Sequence, residues 1–489
     1  MKVSSKLLVF AVSGALTAAA VPALALENEF HGMFQLQFDN SNFNGSNTAD
    51  ATGARYTPEG KDAKAATANF FEQRARLAYI AKANQDVKLV TKFELDYSYW
   101  GNSSYTTKRN QGGALGADTV NLETKNVFLD LNSPTLATSA KFGMQPVDDA
   151  FKGIFFSADM PGVMLTHDFS KATASVGFFR WNDTSGKVNP FTSLGKDARD
   201  MVLFDGKLKV TDTTKLGLAY YFVNSNNVNI MTAADDDAAT TAIDESVLNE
   251  NLTVHTVGLN GETAIGPVTI DGFALYQFGT NYAGNQSFWQ TPATADANKH
   301  RSAWAANVGA RMKVAPNGTL RSEFLYVSGE GNADRGTTNA FYTPATFNYS
   351  ESGFWNNEMV ILGRDKNAFT NDTAIVFDGN NKNEGVFFGS VGYDHTFTDK
   401  ISGSVNAGFA AAAKANAAKP VNLNTGSQNS SNYLGTEINA EVNYKFAENV
   451  TFSTRAGYVF LGDYFKGVAA GGQDPDDPYD VKVLVNYSF

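Results

Sequence analysis

A chain of 489 residues with no cysteine forms no disulfide, no thiolate metal site and no covalent haem attachment. Its formal charge of -11 becomes -13 without Lys2 and Lys6, which excludes nucleic acid as a partner, since phosphate binding needs a basic stripe. Aromatic residues at 12%, 43 glycines and 13 prolines suit many twisted strands joined by turns.

The chain opens with Lys2 and Lys6, runs through an apolar stretch from Leu7 to Val21 and reaches Ala23-Leu24-Ala25, a small-x-small cleavage pattern. Residues 1–25 read as a signal peptide cleaved near Ala25, so the mature protein is expected to begin near Leu26. Beyond that point no apolar run reaches the ~18 residues that a bilayer-crossing helix needs, and the mean hydropathy is -0.26.

Alternation with a period of two then dominates. Phe30, Gly32, Phe34, Leu36 and Phe38 alternate with His31, Met33, Gln35, Gln37 and Asp39. Residues 70–83 and 87–100 form a hairpin about Asn84-Gln85-Asp86, with Val87, Leu89, Phe93, Leu95, Tyr97 and Tyr99 opposite Lys88, Lys92, Glu94, Asp96 and Ser98. Further strands are predicted at 120–132, 139–145, 163–169, 173–183, 201–210, 215–224, 252–264 and 268–280. They continue at 303–313, 319–328, 385–397, 401–412, 433–446, 450–461 and 479–489.

One set of connections is short: 170–172, 211–214, 266–267, 316–318, 398–400 and 447–449. The other set is long and rich in Asn, Gly and Thr: 40–69, 101–119, 225–251, 281–300, 329–384, 414–432 and 462–478. A soluble sandwich has short loops at both ends. Alternating strands of about ten residues with long loops on one side describe an all-β chain, a transmembrane antiparallel β-barrel of about 18 strands with periplasmic turns and extracellular loops. The apolar set faces lipid and the polar set a wet lumen. The stretch 329–384 is too long for a plain loop, and its segments 358–363 and 373–377 read either as a folded-in hairpin or as two more wall strands, leaving 16, 18 or 20.

The last strand places Tyr479, Val481, Val483, Val485, Tyr487 and Phe489 on one face and stops at an aromatic residue. Tyr487 and Phe489 resemble the assembly signal of outer-membrane barrels. Glu72-Gln73-Arg74-Ala75-Arg76-Leu77, followed by Lys92-Phe93-Glu94-Leu95-Asp96, looks like the early hairpin of general and anion-type porins, and the stretches Gly435-Thr436-Glu437 to Tyr444 and Gly457-Tyr458 are similar too. The chain as a whole resembles the Gram-negative outer-membrane porin superfamily. The resemblance implies an outer-membrane location, passive diffusion of ions and small hydrophilic solutes, no cofactor and no enzymatic activity. It also implies a homotrimer, contact with lipopolysaccharide and outer-membrane lipid, and delivery by the barrel-assembly machinery. A third loop at 146–162 is expected to fold inward, although the family's Pro-Glu-Phe-Gly-like signature is absent and Asp159-Met160-Pro161-Gly162 is a loose echo.

A lumen that passes polar solutes needs opposed charges about a narrow point. The candidate pore-lining cations are Arg74, Arg76, Lys88, Lys92, Arg311, Arg321 and Arg455, with Asp148, Asp149 and Asp159 against them and Arg74 and Arg76 foremost. These charges can instead merely hydrate the wall, pairing within a strand as Lys92 with Glu94 or Arg321 with Glu323. Asp235-Asp236-Asp237 and the group Asp474, Asp476 and Asp477 are Ca²⁺ candidates, although neither has the spaced ligands and glycine of an EF-hand and a solvated acidic surface is the plainer reading. The five histidines at 31, 167, 255, 300 and 395 show no metal-ligand spacing. Two other functions stay open: a substrate-specific transporter, and the barrel sheath of an electron-transfer conduit.

Overall fold

The computed structural model describes residues 27–43, 67–101, 115, 122–183, 195, 198–231, 247–282, 298–331, 336–346, 349–367, 373–416 and 419–489. Asp235, Asp236 and Asp237 lie outside them. Among the described residues, eighteen wall strands run β1 (Glu27–Ser41), β2 (Ala68–Asn84), β3 (Val87–Tyr99), β4 (Glu123–Ser133), β5 (Thr138–Asp148) and β6 (Ser157–Asp168). Next come β7 (Ala172–Asp183), β8 (Ala198–Lys209), β9 (Thr214–Met231), β10 (Val247–Ile265), β11 (Val268–Tyr282) and β12 (Asn298–Ala315). The wall ends with β13 (Gly318–Val327), β14 (Val386–Thr398), β15 (Ile401–Ala412), β16 (Tyr433–Ala447), β17 (Val450–Leu461) and β18 (Tyr479–Ser488).

Each strand pairs antiparallel with its chain neighbour, and β1 pairs with β18 from Met33↔Ser488 to Ser41↔Asp480, which closes the ring. A closed ring leaves no backbone edge to lipid. Phe489 completes the seam by exchanging backbone hydrogen bonds of 3.0 Å with Gly32. A Cβ on Gly32 would stand 2.5 Å from the Phe489 ring, so glycine is what lets the last side chain lie flat against the first strand.

The period of two sorts side chains as a membrane barrel requires. On β15 and β16, Val405 and Ile438 face outward at 57% and 55% exposure, while Asn406, Glu437 and Asn439 are buried on the inner face. Phe169, Phe397, Phe446 and Phe489 stand exposed at the short-turn end. Toward the other end the rings of Trp304, Tyr326 and Phe387 run across β12 to β14 with centroids 4.2 and 4.6 Å apart. These are the two aromatic girdles of a membrane-spanning barrel.

Two expectations need correction, and one open choice is decided. The connection after β5 is residues 149–156 rather than 146–162, because Pro146, Val147 and Asp148 stay in register with Asp159, Ala158 and Ser157. The Asn-rich ends of β9 and β10 continue their ladder to Met231↔Val247, where the sequence reads as loop. Above the bilayer both faces of a hairpin are wet, so pairing persists without apolar alternation. The stretch 329–384, left open between a folded-in hairpin and two wall strands, adds no barrel-crossing strand, since β13 pairs directly with β14 from Val327↔Val386 to Gly318↔His395 and only Thr337–Thr338 joins the sheet, parallel to His300 and Arg301.

That stretch enters the lumen instead. Phe341, Tyr342, Phe354, Met359, Val360, Ile361, Leu362, Ile375 and Val376 are buried in one apolar cluster with Phe151, Ile154, Phe155 and Phe156 of the 149–156 loop. The wall supplies Phe179, Met201, Leu203, Tyr221, Val223, Leu252, Val254, Phe273, Leu275, Leu325 and Val327 to the same cluster. The inner face of β7 to β13 is therefore not uniformly polar, as a simple wet lumen requires. Runs such as Ala219-Tyr220-Tyr221-Phe222-Val223 are apolar on both faces because one face meets lipid and the other seats the inserted chain.

Candidate functional site in the lumen

The 149–156 loop is built around one carboxylate. Asp149 Oδ1 accepts from the backbone N–H of Phe151 (2.7 Å) and Gly153 (2.8 Å), and Oδ2 from Phe155 (2.6 Å) and Phe156 (2.9 Å). Burial pushes its pKa up to about 6 against the pull of those four donors. Asp149 thus organises the loop and presents no charge to the lumen. Its neighbour Asp148 is exposed and accepts from the Ser157 hydroxyl at 2.6 Å. Tyr221 Oη accepts from the Ala150 N–H and donates to Asp205, both at 2.8 Å, tying the loop to β9.

The longer inserted segment, residues 336–385, touches the loop through backbone bonds, Ser157 N–H to Glu351 O at 2.7 Å and Gly353 N–H to Gly153 O at 3.0 Å. Beside the apolar cluster it shares with the wall, it is held there by polar contacts. Glu437 of β16 accepts from the N–H groups of Val360 (2.7 Å), Ile361 (3.0 Å) and Leu362 (2.6 Å). Gln277 of β11 both donates to Tyr342 O (3.1 Å) and accepts from Tyr342 N–H (2.7 Å). Asp365 is buried against Arg455 at 2.5 Å and Lys482 at 3.2 Å, and Lys482 also reaches Asp480 at 3.3 Å. Burial by itself would raise the Asp365 pKa, but the Arg455 and Lys482 charges outweigh it and hold the carboxyl below its ordinary value.

Two arcs of lumen wall carry the remaining charges. On β2 to β6, Arg76 donates to Glu94, Arg74 lies 3.7 Å from the same carboxylate, and Lys125 stands 3.7 Å from Glu94 and 3.1 Å from Asp159. Asn126 also donates to Asp159 at 2.7 Å. Lys92 is in register with Ala78 and Asn126 on the same arc. Arg74, Arg76, Lys92 and Asp159 are thus brought together, with cations in excess. Lys88 lies apart near the short turns, in register with Lys82 and Asp130.

On β10 to β18, Arg311 lies 3.1 Å from Asp271, Arg321 donates to Asp394 at 2.7 and 2.8 Å and to Asn406 at 2.8 Å, and Arg455 lies on Asp365. These three do not face Asp148 or Asp149. The pairs expected within one strand are replaced by pairs across strands: Arg321 takes Asp394, and Glu94 takes Arg76. Directly opposed residues on adjacent strands, as Arg76 and Glu94 are, stand about 5 Å apart, closer than the roughly 7 Å between same-face neighbours along one strand.

Two chambers open between the inserted chain and the short turns. One, of about 450 Å³, is lined by five lysines, at 152, 171, 207, 209 and 215, against Asp168, Glu262 and Asp271. The other, of about 560 Å³, carries four cations and four carboxylates with Asn406, Asn439 and Asn443. Lys152 stands where they approach each other, 2.5 Å from Asp271 and 3.0 Å from Glu323.

Sequence reasoning missed Lys125, Lys152, Asp271, Glu437 and Lys482. Lys125 sits at a bulge in β4 that hides its facing, and Lys152 is 171 residues from the Glu323 it binds. The acidic group in the last long connection serves its own fold: Asp474 accepts from Gly467 N–H at 2.7 Å and Asp477 from Leu461 N–H at 2.9 Å, while Asp476 is exposed. Among the described residues no three acidic or histidine side chains converge to hold a metal ion.

The barrel aligns with crystal structures of Pseudomonas aeruginosa OccK5 (OpdH), at 12% identity, and of Acinetobacter baumannii OccAB4, at 14%, each with a TM-score of 0.50 and covering 95% of this chain and 98% of that one. Pseudomonas aeruginosa OccK8 (OprE) aligns with the same score and coverage at 10% identity. These neighbours are outer-membrane porins with an 18-strand barrel. The fold is that of the outer-membrane porins. No family model matches the porin-fold chain, and no curated protein matches it in sequence. A closed barrel with aromatic girdles at both ends of its apolar outer face is built to span a membrane.

Proposed function

We propose that this porin barrel is a passive diffusion channel for ions and small hydrophilic solutes, without enzymatic activity. The observation that carries the reading is the charged lumen wall beneath an inserted constriction: Arg76 and Lys92 in front of a buried Arg74 on one arc, paired charges on the other, and chambers of about 450 and 560 Å³ between. Arg74, Arg76, Lys88, Lys92, Asp159, Arg311, Arg321 and Arg455 are assigned to the solute path. A sheath for a redox partner needs an empty lumen, whereas residues 149–156 and 336–385 occupy this one with their own apolar core.

The test is single-channel conductance of the purified protein in a planar bilayer, with reversal potential in a salt gradient. Steady ohmic current supports the reading; silence without a particular solute overturns it in favour of a substrate-specific transporter. On the same reading residues 1–25 are a cleaved export signal, which the mass of the mature protein tests. The assembly is a homotrimer bearing lipopolysaccharide, inserted by the barrel-assembly machinery, and the gel mobility of unheated samples tests the trimer.

A further inference from the structure

Within the inserted loop, Lys152 and Gly153 are both in the left-handed region, at φ 63 and 79°. That reversal separates the Lys152 side chain from its apolar neighbours: Phe151 and Ile154 are fully buried, while Lys152 reaches the wall at half-buried depth. Its Nζ lies 2.5 Å from Asp271 Oδ2 on β11 and 3.1 and 3.0 Å from the two Glu323 oxygens on β13. Both carboxylates are fixed from behind. Asn307 donates to Glu323 at 3.0 Å, and Arg311 stands 3.1 Å from the far oxygen of Asp271.

This bridge lies between residues that line neighbouring spaces in the lumen. Lys152 and Asp271 line the lysine-rich chamber; Glu323 lines a cleft shared with Arg311, Arg321 and Glu358, which border the balanced chamber. A solute moving between the chambers meets the ammonium group and its two carboxylates. We propose that Lys152 is a selectivity-determining residue of the channel, masking Asp271 and Glu323 so that the passage between the chambers does not favour cations.

The sign follows from charge. Asp271 and Glu323 share Lys152 and Arg311; once the ammonium group is gone Arg311 offsets only one of them, and the net negative charge left in a confined space concentrates cations. Removing the carboxylates and keeping Lys152 leaves an ammonium group beside four other lysines and favours anions.

The inference rests on the channel reading, and its test separates the two. Wild type, Lys152→Met, Lys152→Arg and the double variant Asp271→Asn/Glu323→Gln are compared in planar bilayers by reversal potential in a potassium chloride gradient. Lys152→Met is expected to raise the cation-to-anion permeability ratio about twofold or more, with a larger conductance, Lys152→Arg to stay near wild type, and the double variant to shift toward anions. If Lys152→Met fails to assemble, the double variant reads the same bridge from the wall side. A conducting wild type with neither variant shifted, or with both shifted the same way, overturns the role of Lys152 and leaves the channel intact. A wild type that does not conduct overturns the channel reading itself.

Discussion

The two chain segments inside this barrel differ in how far they lean on the wall. The loop of residues 149–156 carries its own organiser, a single Asp149 carboxylate that takes four N–H groups of the same loop. Residues 336–385 have internal ties at Asn357, which accepts from Met359 N–H and donates to Phe354 O and Arg364 O, and at Asn380, but they also lean on the wall: Glu437 caps three of their N–H groups, Gln277 brackets Tyr342, and Arg455 and Lys482 hold Asp365. A short insertion can satisfy its backbone locally. A long irregular one meets only part of its need that way, and its remaining donors are met by wall side chains that face inward.

The comparison is broken most strongly at Asp365. Asp365→Asn leaves Arg455 and Lys482 buried with less counter-charge and is expected to cost about 3–5 kcal/mol, read as a lower unfolding temperature and faster protease cleavage within 336–385. Glu437→Gln comes next. Replacing one acceptor oxygen by an amide strands two of its four donors, so about 2–4 kcal/mol is expected, with added current noise while the 149–156 loop stays protected from protease. Asp149→Asn removes acceptors from two loop N–H groups and is expected to cost about 2 kcal/mol, loosening the loop but leaving residues 336–385 protected.

The smallest effect is pH dependence. The folded pKa of Asp149 is raised from 3.8 to about 6, so the native state binds this proton first. Its contribution to stability is present at low pH and is lost as pH rises from about 4 to about 6. Asp365 has the opposite sign: its folded pKa is lowered, so its contribution is present above its ordinary value of 3.8 and lost as pH falls through the folded value. Between pH 4 and 6 the unfolding temperature should therefore carry a downward term in wild type that disappears in Asp149→Asn. An identical slope in both proteins would show that Asp149 does not titrate in this window.

The wall was legible in the sequence because a lipid-facing strand must repeat every second residue, as Phe30 to Phe38 and Tyr479 to Phe489 do. The inserted segment was not, since chain that packs irregularly against a wall has no period to show. Its seat did leave a trace. Where β8 to β12 lose their alternation, at Met201-Val202-Leu203-Phe204 or Phe273-Ala274-Leu275-Tyr276, the inner face is apolar because chain rests on it. Site residues followed the same rule. Arg74 and Arg76 announce themselves by spacing on one strand, whereas Lys152 acquires its partners only when β11 and β13 are brought beside it.

The seam between β1 and β18 sets a condition on assembly. Tyr487 must find Phe34, and Phe489 must find Gly32, across more than 450 positions of chain. Until that meeting every intermediate presents two raw strand edges, which invite pairing with other chains and which a bilayer interior does not tolerate. The barrel therefore has no half-closed form that can wait in the membrane: its first strand must be kept from wrong partners while the rest of the wall is laid down, and the last ten residues turn a ribbon into a vessel.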